Sequence, residues 1–262
     1  MNALFSALGR RLARYLTHPL PGERIATVAP SLLAHTLQPG DVLLVEGNSR
    51  ISTAIKYLTQ STWSHAALYV GPQPQWPRRH GHVVALIEAD LNEGVRAMPL
   101  SHYSTLHTRI CRPVGLTQEE HQQLIAFVHA RIGQRYDLKN VFDLARYLLR
   151  TPPVPLRLRR RMIALGSGDP TRAICSTLIA QAFQALRYPI LPDFEHQPSA
   201  DPNCHLCKDE LLHIQHHSLF TPRDFDVSPF FAVIKPRLEA GFDPHAVRWA
   251  EESAHPRSRH EP

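Results

Sequence analysis

The chain has 262 residues, 43% of them hydrophobic and 20% charged, which excludes a wholly disordered chain and a fibrous repeat. A length of this order predicts one globular domain with appended segments. The formal charge is +6, but basic and aromatic residues do not interleave as they do in strand-binding platforms, so no nucleic-acid partner is expected.

Cysteine content and apolar runs bear on the compartment. The four cysteines, Cys111, Cys175, Cys204 and Cys207, form no dense disulfide framework, so reducing surroundings are expected. The N-terminal charges follow a short apolar stretch, the reverse of a signal peptide, and no run approaches the roughly 20 apolar residues that span a bilayer. These features predict a cytoplasmic protein.

The N-terminus is predicted to form an amphipathic helix, because apolar residues recur on one helical face: Leu4, Leu8, Leu12, Tyr15 and Leu16. Such a helix either packs on its own domain or makes peripheral membrane contact through residues 1–20. Residues 1–36 are expected to comprise this helix and a polar linker, residues 37–236 the main folded domain, and residues 237–262 a charged, partly disordered tail.

The first half of the domain is predicted to be a meander of short strands, because apolar runs alternate with Gly and Pro turns. The expected strands are Val42–Val45, His65–Val70, 83–90, Gly94–Leu100 and Thr108–Arg112, with a short helix near Ser52–Leu58. The second half is predicted to be mainly helical. A capping box at Thr117 starts a helix that runs to Gly133, another lies between Asp137 and Pro152, and a third begins at Cys175. Residues 189–218 are expected to be irregular, and Phe230–Ile234 to be a last strand.

Cys175 is the candidate nucleophile, because it lies in the first turn of an apolar helix, where the helix dipole favours a thiolate. A buried thiol that only fills space is the ordinary alternative. His65 is the candidate base, because it leads a strand face made of small residues that leaves room for a helix to approach.

Glu88 is the candidate orienting carboxylate, because it lies within an otherwise apolar strand and needs a polar partner. A buried salt bridge is the alternative explanation for Glu88. Asp90 shares the same strand face and is the alternative orienting residue.

An ordered set of motifs carries a family resemblance: LQPGDVLLVEG, STWSHAALYVG, ALIEAD, GQRYD, ICSTLIAQAF and TPRDF. This order resembles that of the YiiX/YebB-like permuted papain-like hydrolases, relatives of the NlpC-type cysteine peptidases and of lecithin retinol acyltransferase. The likeness extends from about Leu37 to Ile234. In the unpermuted enzymes the cysteine helix precedes the histidine strand, whereas here His65 precedes Cys175.

The resemblance implies an α+β fold, with an antiparallel sheet packed against the helix that bears Cys175. It implies Cys175 as nucleophile, His65 as base and Glu88 as third residue. Tyr136 and Ser176 are assigned to the oxyanion or substrate region. The implied activity is cysteine hydrolysis of a peptide-type amide, with lipid acyl hydrolysis or transfer, or a non-catalytic binding module, as alternatives. A small peptide or lipid substrate and no cofactor are expected.

A zinc site is the remaining question, because Cys204 and Cys207 have the spacing of half a zinc site. His213 and His216 could complete it. All four ligands would then come from thirteen residues, and a single CxxC pair is a weak signal, so no bound metal is predicted.

Overall fold

The computed structural model describes residues 15–20, 26–134, 174–198 and 208–247. Its strands, in chain order, are β1 (Val42–Val45), β2 (His65–Tyr69), β3 (Leu86–Asp90), β4 (Gly94–Met98), β5 (Thr108–Pro113), β6 (Asp193–Pro198), β7 (Lys208–His213) and β8 (Phe231–Ile234). Its α-helices are α1 (Pro30–Thr36), α2 (Arg50–Thr59), α3 (Gln118–His129), α4 (Ile174–Ala185), α5 (Pro222–Val227) and α6 (Pro236–Glu239).

Six of the strands form one antiparallel sheet in the order β4-β3-β2-β1-β5-β8. Both faces of this sheet are covered, so β1 is buried throughout. Val42 and Leu44 pack with α3 and α4 on one face. Leu43 and Val45 pack with α1 and the segment after β4 on the other face. The side-chain alternation of a strand therefore separates two apolar clusters. The first cluster lies on the face covered by α3 and α4, and the second lies on the face covered by α1.

The first five predicted strands and the two helices near Ser52 and Thr117 are confirmed to within a few residues. The capping box at α3 forms as expected, with the Thr117 hydroxyl accepting from the Glu120 amide and the Glu120 carboxylate accepting from the Thr117 amide. The helix predicted between Asp137 and Pro152 lies outside the described residues. The charged tail is described as far as residue 247 and includes α6 and a 3₁₀ turn, Pro244–Ala246.

The prediction of a simple meander is wrong beyond β4, because β5 does not pair with β4 but with β1, on the edge of β1 opposite to β2. The connecting segment contains a 3₁₀ turn, Leu100–Tyr103, and its residues Leu100, Tyr103 and Leu106 pack in the second apolar cluster. The chain thus crosses a sheet face after β4, because burial of these side chains stabilises the crossing.

Two segments that were expected to lack regular structure are ordered. The linker contains α1, which buries Leu33 against the sheet. The segment 189–218 contains an antiparallel hairpin of β6 and β7. This hairpin escapes sequence prediction because it has no clear apolar face: Leu211 and Leu212 are neighbours on β7 and both are exposed.

The N-terminal segment packs on the domain at residues 15–20. Leu16 is only 2% exposed. The Leu20 amide donates to the Asn48 carbonyl at 2.8 Å, and Asn92 donates through Nδ2 to the Thr17 hydroxyl at 3.1 Å. Leu16 is therefore part of the folded domain. Among the described residues no helix is long and apolar enough to cross a bilayer.

We expect Leu16→Ala to lower the free energy of unfolding by about 2–5 kcal/mol, because it leaves a cavity beneath the N-terminal segment. Urea denaturation at pH 7 measures this loss. Leu238→Ala is the matched control, because Leu238 is 58% exposed and its truncation should cost about 0.5 kcal/mol or less. Equal losses in the two variants would contradict packing of Leu16.

Candidate active site

Helix α4 places Cys175 in its first turn. The helix is apolar and its inward side packs into the first cluster through Leu178, Ile179 and Phe183. This packing fixes the helix, and with it the position of the thiol. Cys175 is only 5% exposed and is not in a disulfide. The sulfur lies at the positive end of the helix, where the aligned backbone dipoles stabilise negative charge.

His65 is the first residue of β2 and contacts both other members of the predicted triad. Its Nε2 lies 2.8 Å from Oε2 of Glu88. Its ring also lies close to the side chain of Cys175, whose interaction with the imidazole raises the pKa of His65. Because Nε2 faces Glu88, Nδ1 is the nitrogen that remains for the thiol. The imidazole is 22% exposed, so part of the ring reaches solvent.

Glu88 lies on β3 and is completely buried, yet its carboxylate has three side-chain donors. Arg96 donates through Nε to Oε1 at 2.8 Å. The Tyr103 hydroxyl and the His65 ring both bond to Oε2. A buried carboxylate is costly unless it is paired and hydrogen-bonded, and here both requirements are met.

Arg96 and Tyr103 are site residues that the sequence reading missed. Arg96 lies directly across from Glu88 in the β3–β4 hairpin. The turn from Asp90 to Gly94 fixes this register, so counting back from the turn would have identified the pair. Tyr103 left no comparable signal, because the 3₁₀ turn that carries it reaches Glu88 only by crossing the sheet face.

The charges in this cluster shift each other's proton affinities. Burial alone would lower the pKa of His65, but the charges of Cys175 and Glu88, with hydrogen bonds to both, raise it to about 10. Burial alone would raise the pKa of Glu88, but His65, Arg96 and the Tyr103 hydroxyl hold it well below its usual range. Burial, together with the adjacent carboxylate, raises the pKa of Tyr103. The arrangement therefore favours an imidazolium beside the Glu88 carboxylate.

The expectation that a helix approaches the small-residue face behind His65 is wrong. Helix α4 packs on the opposite face, against Ala66 and Leu68, whereas Ala67 faces the second cluster. The thiol and the imidazole still meet because both are terminal. Cys175 lies in the first turn of its helix and His65 is the first residue of its strand.

The other predicted residues have different surroundings. Asp90 caps the β3–β4 turn by accepting from the Asn92 and Glu93 amides and lies 3.4 Å from Nη2 of Arg96. The Ser176 hydroxyl donates to the Phe220 carbonyl at 2.8 Å, so the side chain has a structural contact. Tyr136 lies outside the described residues.

No group of three or more potential metal ligands occurs among residues 15–20, 26–134, 174–198 and 208–247. Cys204 and Cys207 lie outside these ranges. His213 bonds instead to Glu195, with 2.7 Å between Nε2 and Oε2.

We expect Arg96→Met to lower the free energy of unfolding by about 3–5 kcal/mol at pH 7, because Glu88 would stay buried without its cation. Arg96 helps to hold the pKa of Glu88 down, so its contribution is present above the ordinary carboxyl range and declines as the pH falls from that range toward the lowered pKa. Urea denaturation should therefore give a smaller loss at pH 4 than at pH 7. The double variant Arg96→Met/Glu88→Gln should recover part of the loss at pH 7. A loss independent of pH would contradict this account.

One family of known proteins matches part of the chain and agrees with the sequence resemblance. Residues 36–147 match the family described as permuted papain-like amidase enzymes, YaeF/YiiX, C92 family. The match includes His65 and Glu88 and ends before Cys175. No curated protein matches the chain.

Among solved structures, the chain is similar to one titled metalloprotein yiiX from Escherichia coli O157:H7, DUF1105. The two chains are 17% identical, with a TM-score of 0.44, over 76% of this chain and 96% of that one. The family match over residues 36–147 confirms the resemblance to the permuted papain-like amidases and, with the antiparallel sheet and its helices, the α+β fold class.

Proposed function

We propose that this protein is a cysteine amidase that cleaves a peptide-type amide through an acyl-enzyme on Cys175. The observation that carries the proposal is the series Cys175, His65 and Glu88, in which the His65 ring bonds to the carboxylate at 2.8 Å and lies close to the thiol. Buried donors fix the carboxylate end of this series. A space-filling cysteine would need none of these contacts, whereas a thiol nucleophile needs an oriented imidazole.

In the first half of the reaction, the Cys175 thiolate attacks the amide carbonyl and a carbon–sulfur bond forms. Backbone N–H groups at the start of α4 stabilise the oxyanion. The His65 imidazolium then donates its proton to the departing amine as the carbon–nitrogen bond breaks. Because the pKa of His65 is raised to about 10, this proton is held throughout the neutral range.

In the second half, a water molecule attacks the thioester while neutral His65 takes one of its protons. The carbon–sulfur bond breaks, the acid is released, and the thiolate–imidazolium pair is restored. Glu88 keeps its charge throughout, because the low pKa of its carboxyl prevents it from taking the proton of His65. Its role is to hold the ring and to stabilise the imidazolium.

An amide is the preferred substrate because residues 36–147 match a family described as amidases. The lipid alternative drew on an amphipathic N-terminal helix that could reach a membrane. Burial of Leu16 removes one apolar residue from the face that such contact would use. A non-catalytic binding module would have no need for the imidazolium that the cluster favours.

We expect iodoacetamide to alkylate Cys175 at least tenfold faster than Cys111 at pH 7, because only Cys175 has an imidazole partner. Cys111 is fully buried, and burial raises the pKa of its thiol. Mass-spectrometric peptide mapping of each cysteine over time measures both rates in one sample. His65→Ala should abolish the difference. Equal rates in the wild-type protein would refute the nucleophile assignment.

We expect Glu88→Gln to lower turnover of a peptide anilide on the order of 10²-fold or more, because an amide stabilises imidazolium less well than a carboxylate. The measurement is release of p-nitroaniline from a panel of aminoacyl p-nitroanilides. Asp90→Asn is the matched control, because it also converts a β3 carboxylate to an amide while keeping the turn acceptor. The opposite ranking of the two variants would transfer the orienting role to Asp90.

A further inference from the structure

The segment Phe220–Asp226, which contains the TPRDF motif, has no role in the chemistry described above. It lies between the 3₁₀ turn His217–Leu219 and β8. Its two phenylalanine side chains are buried, since Phe220 is 3% and Phe225 0% exposed. Thr221 and Asp224 form a capping box that starts α5. The segment is therefore fixed by both packing and hydrogen bonds.

One end of this segment binds the residue that follows the nucleophile. The Ser176 hydroxyl donates to the Phe220 carbonyl at 2.8 Å, and both residues are buried. Ser176 is adjacent to Cys175 in the first turn of α4. This contact restrains the end of the helix that carries the thiol, where helices otherwise fray.

The other end binds the residue two positions before the base. The Trp63 indole donates through Nε1 to Oδ2 of Asp226 at 2.9 Å, and Trp63 is 2% exposed. Arg109 on β5 donates through Nη1 to Oδ1 of the same carboxylate at 2.6 Å. Its guanidinium lies 4.9 Å from the centroid of the Trp63 ring. The Asp226 carboxylate thus joins the start of β2 to a strand two positions away in the sheet.

The residue between Trp63 and His65 is also fixed. The Ser64 amide donates to the Val45 carbonyl at 3.1 Å, and its hydroxyl accepts from the Gly47 amide at 2.9 Å. A side chain at Gly47 would place its Cβ 2.3 Å from Oγ of Ser52. The backbone that leads into His65 therefore has little freedom to move independently of Trp63.

We propose that Phe220–Asp226 is a clamp that sets the distance and orientation between Cys175 and His65. Helix α4 and the start of β2 are distant in sequence, and each is attached to this one segment by a hydrogen bond from a buried side chain. The proposal rests on the proposed thiol chemistry and makes Ser176, Trp63 and Asp226 positioning residues for it. Small displacements of reacting groups lower rates strongly, so loss of either attachment should lower the reactivity of the Cys175–His65 pair.

The test measures alkylation of Cys175 by iodoacetamide as a function of pH. Trp63→Phe keeps an aromatic ring but removes the indole N–H, and we expect it to slow alkylation at pH 7 on the order of tenfold. Its pH profile should move toward that of His65→Ala, a change that simple loss of stability would not produce. The matched control is Trp76→Phe, because it makes the same change in a tryptophan that stacks on His129, with 4.7 Å between ring centroids.

Variants of the carboxylate separate hydrogen bonding from packing. Asp226→Asn retains an oxygen acceptor for the indole and should keep most of the wild-type rate, whereas Asp226→Ala should match Trp63→Phe. Ser176→Ala removes the hydrogen bond to Phe220 at the other end of the clamp. If one rigid segment carries both attachments, the alkylation rate of the double variant Ser176→Ala/Trp63→Phe should fall by less than the product of the two single fold-reductions.

Rates and pH profiles of Trp63→Phe and Ser176→Ala that equal those of Trp76→Phe would overturn the clamp. Should Trp63→Phe fail to fold, Asp226→Ala compared with Ser176→Ala gives the same decision. An unreactive Cys175 in the wild-type protein would overturn the proposed function itself. The two failures are therefore distinguishable in one set of measurements.

Discussion

The buried carboxylate of Glu88 is the constraint on which the site depends. A negative charge without solvent exposure must be matched by donors, and the surrounding elements supply them. Arg96 comes from the neighbouring strand, Tyr103 from a turn that crosses the sheet face, and His65 from the start of β2. The need to satisfy one group thus ties three separate pieces of chain together, and the same need orients the imidazole.

This constraint explains why the base is strong while the carboxylate stays charged. Arg96 and Tyr103 hold the charge on Glu88, and that charge helps to hold the proton on His65. A less well satisfied carboxylate would take the proton itself and leave the thiol without an ionised partner. The structural anchors of Glu88 are therefore also electrostatic determinants of the thiol chemistry proposed above.

The two faces of the sheet carry different groups. Helices α3 and α4 bury their apolar residues on one face, whereas the polar cluster around Glu88 lies on the other. The thiol reaches the imidazole only because both stand at the ends of their elements. Such a contact depends on the relative placement of α4 and β2, which is the reason that a buried segment attached to both is of interest.

The sequence by itself determined the local elements, since strand alternation, the capping box at Thr117 and the turn after Asp90 are encoded within a few residues. It also indicated Cys175, His65 and Glu88, because each is a polar residue in apolar surroundings. Only the tertiary structure decided which sheet face α4 covers, that β5 returns to β1, and that Tyr103 reaches Glu88. Trp63 and Asp226 are separated by 163 positions. No local pattern predicts such a pair, because its contact energy exists only once the whole chain is folded.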